Sequence, residues 1–114
     1  MNSLEFRNAL EAFARIDGAM PLSAVQTLVW VGLNDGSHQS SLEQYLGASG
    51  ATASRSIQWW SEWRSFKDGK RGPGFIENFP DPMDKRFRVV RLTPYGQAFL
   101  SGIYKGGTDG PATR

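Results

Sequence analysis

Apolar residues recur along this chain at intervals that divide it into short helices, one pair of strands and a closing helix. Leu4, Phe6, Leu10, Phe13 and Ile16 mark a helix over residues 3–16, with Ser3 as its expected cap and Glu5 in its first turn. Asp17-Gly18 stops that helix, and Leu22, Val25, Leu28, Val29 and Trp30 predict a second over 22–33, ended by Asn34-Asp35-Gly36. Residues 37–46 read as a short helix closed by Gly47, with Leu42 and Leu46 facing the core. After the turn Ala48-Ser49-Gly50, a longer helix is expected from Gly50 to Phe66, capped by Ser49 and burying Ala53, Ile57 and Trp60. Trp59, Trp63 and Phe66 would form a second stripe on it, so that it packs on two sides. Phe75–Phe79 reads as a strand, residues 80–83 as a turn, and Phe87–Leu92 as a return strand whose Val90 and Leu92 alternate with Arg91. Thr93 can cap a last helix running to about Tyr104, because Pro94 fits a first turn where a missing N–H costs nothing.

This order predicts an α+β, mostly helical fold: one domain over residues 1–104, with residues 105–114 as a disordered, glycine-rich tail. Two helices joined by a glycine-containing turn make a helix-turn-helix at about 38–66. The two strands after it form a β wing at about 75–92. At 114 residues the chain is long enough to bury a core without disulfides.

Charge sharpens the picture. The net charge of +2 is too small to imply nucleic acid on its own. Its distribution is uneven, however. Residues 1–62 carry Arg7, Arg15 and Arg55 against six acidic side chains, Glu5, Glu11, Asp17, Asp35, Glu43 and Glu62. Between residues 63 and 91 the cations Arg64, Lys67, Lys70, Arg71, Lys85, Arg86, Arg88 and Arg91 outnumber Asp68, Glu77, Asp81 and Asp84. The basic half is the half that holds the wing.

Catalysis finds little support. With His38 the single histidine and cysteine absent, there is no metal cluster and no Cys/His dyad, and no cofactor is expected. Asp81 lies in Pro80-Asp81-Pro82, which is turn chemistry rather than a catalytic carboxylate pair. Gly69-Lys70-Arg71-Gly72 lacks the strand, spacing and hydroxyl of a phosphate-binding loop. Residues 1–5 have no basic flank or apolar core of a secretion signal, and no apolar run approaches the ~20 residues of a membrane span. A cytoplasmic, membrane-free protein is the expectation.

Two motifs carry the functional reading. Asp84-Lys85-Arg86 is followed by a short strand and then by Leu92-Thr93-Pro94-Tyr95-Gly96, and upstream lies Ala51-Thr52-Ala53-Ser54-Arg55. Together they resemble MarR-type winged-helix regulators, whose wing reads Asp-x-Arg, strand, Leu-Thr-x-x-Gly, and whose recognition helix opens with a similar Ala-Thr-x-Ser-Arg run. The resemblance covers about residues 20–103. It implies sequence-specific binding of double-stranded DNA and transcriptional regulation, as a repressor that occupies promoter DNA. MarR-type proteins usually end in a further long helix that forms the dimer and walls a small-phenolic pocket. This chain stops before it, so the expectation is either a homodimer through residues 3–16 and the last helix or a monomer on a half-site, without a small-molecule effector.

On that reading Ser49, Gly50, Ala51, Thr52, Ser54, Arg55 and Gln58 form the DNA-facing start of the recognition helix. Arg55 can pair with guanine O6/N7 and Gln58 with adenine N6/N7, while Thr52 and Ser54 can equally serve phosphates. Arg86 would enter the minor groove with Asp84 orienting it, and Lys85 and Arg88 would touch phosphates. Ser37, His38 and Gln39, and in the basic loop Lys67, Lys70 and Arg71, are further phosphate candidates. The competing readings are a solvated hairpin with a surface ion pair, a winged helix that docks a protein through its Trp-rich helix, and a single-strand binder.

Overall fold

A computed structural model describes residues 1–65 and 70–105, with the backbone alone for 63–65 and 70. In chain order it contains α1 (Ser3–Ala14), α2 (Leu22–Leu33), β1 (Ser37–His38), α3 (Gln39–Leu46) and α4 (Gly50–Trp60). There follow β2 (Trp63–Ser65), β3 (Lys70–Arg71), β4 (Ile76–Asp81), β5 (Asp84–Leu92) and α5 (Pro94–Tyr104). The α+β, mostly helical winged helix-turn-helix architecture is present, with β4 and β5 as the wing strands. Among the described residues no helix is long and apolar enough to cross a membrane.

Several boundaries differ from expectation, each for a physical reason. The cap of α1 is Asn2, not Ser3: its side chain accepts from Glu5 N–H while Glu5 reaches back to the Asn2 N–H, a reciprocal pair that a serine inside the helix cannot form. Ser37–His38 is a strand rather than helix. Gly36, at φ +82°, turns the chain so that its N–H reaches Val90 O, and Ser37 and His38 then pair with Val90 and Val89. The wing therefore has a third strand at its root, and the sheet order is β1-β5-β4. The wing turn is shorter than predicted because Pro80 and Asp81 stay in β4, opposite Arg88 and Asp84. A proline is tolerated there because β4 is an edge strand and needs no outward N–H.

Helix α4 ends at Trp60, six residues before the predicted end. Ser61 turns extended at ψ 171°, its hydroxyl donates to Gln58 O, and Trp60 O accepts from Phe75 N–H instead of a next turn. The chain enters the two-stranded sheet β2–β3, tied back by Gly72 N–H to Glu62 O. Trp63 thus lies on a strand and the predicted tryptophan stripe is not a helical one; Phe66, Lys67 and the tail beyond Lys105 lie outside the described residues.

The core is aromatic at its centre. Trp60 is fully buried and donates its indole N–H to Ala24 O at 2.6 Å, locking α4 onto α2. Phe13 of α1 stands edge-on to Trp60 (6.1 Å) and to Phe99 of α5 (5.3 Å), and Phe75 stacks on Trp60 at 5.7 Å. Leu28, Val31, Leu42, Ala53, Ile57, Ile76 and Val90 complete it, so α4, its supporting helices and the wing root share one packed interior. Leu4, Phe6 and Leu10 of α1 are not part of this core and stay about half exposed.

Candidate nucleic-acid interface

The start of α4 is built as a recognition helix requires. Gly47 ends α3 in the left-handed region at φ +62°, and Ser49 caps α4 by accepting from Thr52 N–H. Leu42, Ala53, Ile57 and Trp60 are buried, which turns Ser49, Ala51, Ser54 and Arg55 outward, while Gly50, Thr52 and Gln58 lie half-buried beside them. Arg55 Nη2 donates to Thr52 Oγ1 at 3.3 Å, so the guanidinium is held along the helix surface toward its N-terminus. Ser54 Oγ accepts from Gln39 Nε2 at 2.9 Å, a bond from α3 that engages the hydroxyl expected to face DNA.

The wing presents Arg86. Its Nε and Nη2 donate to Asp84 Oδ1 and Oδ2 at 2.9 and 2.7 Å, a fork-to-fork geometry, and its N–H also reaches Asp84 Oδ1. The Arg86 side chain is nonetheless 82% exposed, a cation held in position rather than neutralised inside the protein. The guanidinium beside Asp84 and the Arg86 N–H hold that carboxyl below its ordinary value of 3.8, and Asp84 in turn raises Arg86. Lys85 is exposed, and Arg88 bonds the Asn78 side chain at 3.1 Å across the hairpin.

The phosphate candidates fare differently. Ser37 and Gln39 are half-buried in the β1–α3 junction, and Gln39 is committed to Ser54. His38 donates from Nε2 to Asp81 Oδ2 at 2.7 Å and stacks flat on Phe87, centroids 4.8 Å apart. That contact joins residues 43 positions apart, and no local pattern announces it. His38 and Met83 N–H hold the Asp81 carboxyl below 3.8. Arg71 is exposed and ion-paired to Glu62; the side chain of Lys70, like Lys67 as a whole, lies outside the described residues. A support that sequence reasoning missed is Asp35, whose Oδ1 accepts from Leu92 N–H at 2.8 Å and finishes β5. Trp59 packs half-buried against the core, and the side chain of Trp63, the other indole on which the protein-docking reading turns, lies outside the described residues. Among the described residues no group of three or more His, Cys, Asp or Glu could hold a metal.

A helix-turn-helix, a paired-strand wing rooted on a third strand and a closing helix define the winged helix-turn-helix class, and the fold is the MarR-type one. Wild-type MarR of E. coli in its apo form superposes over 90% of this chain and 66% of its own, at TM-score 0.61 and 20% identity. The RV1404 structure from Mycobacterium tuberculosis gives TM-score 0.66 at 17% identity, covering 90% of this chain and 64% of that one. A DNA complex of MepR from S. aureus matches at TM-score 0.57 and 23% identity, over 87% of this chain and 74% of that one. The chain thus spans just under two thirds of the MarR and RV1404 chains. No protein-family model and no curated protein matches the sequence.

Proposed function

We propose that this protein is a sequence-specific double-stranded DNA-binding regulator of transcription, acting as a repressor by occupying promoter DNA. The observation that carries the reading is the Asp84–Arg86 pair, an exposed but oriented guanidinium on the wing of a fold that also contains a capped recognition helix. The recognition helix enters the major groove, where Arg55 and Gln58 meet base edges. Arg86 enters the adjacent minor groove, and Lys85, Arg88 and Arg71 meet phosphates. Ser49, Gly50, Ala51 and Thr52 form the close approach to the backbone. The half-exposed Leu4, Phe6 and Leu10 of α1 favour pairing of two copies, each on one half-site. No catalytic step is required.

The fold's appearance in a solved DNA complex of MepR supports the reading. Its test is the salt dependence of duplex binding. If Lys85, Arg88 and Arg71 are the phosphate contacts, log affinity falls linearly with log salt with a slope of about −2.7 per protomer, at ~0.9 per neutralised phosphate. Binding that ignores salt would rule the interface out.

A further inference from the structure

We infer that the adjacent residues His38 and Gln39 are a coupler that sets the position of the wing relative to the recognition helix. The inference rests on the DNA-binding reading above and adds to it two positioning residues. His38 is the last residue of β1 and the N-cap position of α3, where its side chain makes no capping bond. It is turned to the wing instead, donating to Asp81 Oδ2 of β4 at 2.7 Å and stacking within 4° of parallel on Phe87 of β5. One imidazole therefore grips both wing strands just before their turn. Its side chain is 38% exposed and that of Asp81 18%, so the bond is partly shielded from water. Phe87 carries the grip onward, because the Arg86 guanidinium lies 5.7 Å from its ring centroid.

The next residue reaches the other way. Gln39 Nε2 donates to Ser54 Oγ on the outward side of α4 at 2.9 Å, while its Oε1 is buried without a partner among the described residues. Two consecutive side chains thus bond the two DNA-facing elements from one backbone junction. That junction is itself fixed, since β1 pairs with β5 at Ser37–Val90 and His38–Val89. A wing is a two-stranded ribbon, marginal when unsupported, and its tip would otherwise sample many angles. The coupler restricts those angles before DNA arrives, so less ordering is left to oppose binding.

A positioning role and direct phosphate binding by His38 differ in what they change. If His38 bound a phosphate, His38→Ala would weaken all duplexes alike and leave the free wing as ordered as before. If His38 is a coupler, the same substitution loosens the wing and blurs the minor-groove reading by Arg86. The experiment uses a duplex selected by the wild type from a randomised pool, and the same duplex with its A·T flanks changed to G·C. It is paired with backbone ¹⁵N relaxation of residues 81–87 in the free protein. Expected for His38→Ala and for Asp81→Ala is a loss of flank discrimination of about fivefold, the scale of one partly exposed charge-assisted hydrogen bond, together with lower order across 81–87. His38→Gln, which can still donate to Asp81, should restore most of both. Unchanged wing order and unchanged flank ratio in folded His38→Ala and Asp81→Ala proteins would overturn the coupler alone. A wild type that selects no duplex would overturn the DNA-binding reading and this inference with it.

Discussion

Gly96 is where two physical effects oppose each other and the structure decides between them. It lies in the first turn of α5, at the glycine of Leu92-Thr93-Pro94-Tyr95-Gly96. By helix propensity alone, Gly96→Ala should stabilise the protein by up to about 1 kcal/mol. The structure predicts the reverse. A Cβ at Gly96 would sit 2.3 Å from Phe75 O and 3.1 Å from its carbonyl carbon, where ordinary contact begins at 3.4 Å. The strand start or the helix must therefore move by about 1 Å. Phe75 O is also the acceptor of Thr93 N–H at 3.0 Å, and Phe75 stacks on the buried Trp60. Overpacking of this kind costs roughly 1–3 kcal/mol, and weakening the Thr93 bond adds about 1. Set against the propensity gain, the net loss is about 2 kcal/mol. Urea unfolding followed by tryptophan fluorescence should show the midpoint falling by about 1 M with its slope unchanged, a drop of roughly 10 °C in Tm. Gly18→Ala is the control, since nothing lies within 4 Å of a Cβ there. A Gly96→Ala protein as stable as the wild type would refute the seating of α5 on the Phe75 carbonyl.

Further outcomes follow from the same contacts. Arg86→Ala should weaken duplex binding about tenfold with the fold intact, on the scale of removing one base-edge or groove arginine; a folded variant with wild-type affinity would remove the wing from the interface. Asp35→Ala leaves Leu92 N–H without its partner at the end of β5 and should destabilise the domain by ~1–3 kcal/mol, measured by urea unfolding. Asp81 and Asp84 are both held below 3.8, so their contribution to wing order is complete above that pH and fades only as pH falls further below it. The side-chain carboxyl ¹³C resonances of Asp81 and Asp84 should therefore titrate below 3.8; a carboxyl transition centred above that value would contradict the two bonds.

What could be read along the chain is what is local. Thr93 and Ser49 cap the helices they were expected to cap, because an N-cap needs only a hydroxyl three residues before the N–H it binds. Asp84 and Arg86 are two residues apart on the wing, and their bond needs no distant partner. Val90 and Leu92 are buried and Arg91 is exposed, as period two requires. What escaped is long-range or set by competition. Ser37–His38 is too short to show a period, and it becomes a strand only because Val89 and Val90 lie beside it. The early end of α4 is decided by Phe75 N–H and Ser61 Oγ, which take over its last carbonyls. His38 reads along the chain only as a phosphate candidate because Asp81 and Phe87 are far away in sequence, and Asp35 as an ordinary turn residue because its partner is Leu92.

Selection from a randomised duplex pool at moderate salt asks whether the start of α4 and the wing together read duplex DNA. The purified wild type should enrich a motif whose core depends on Arg55 and Gln58 and whose A·T-rich flank depends on Arg86; a palindromic motif would in addition give the half-site spacing of a dimer. A folded protein that enriches no sequence would overturn duplex recognition by α4 and the wing.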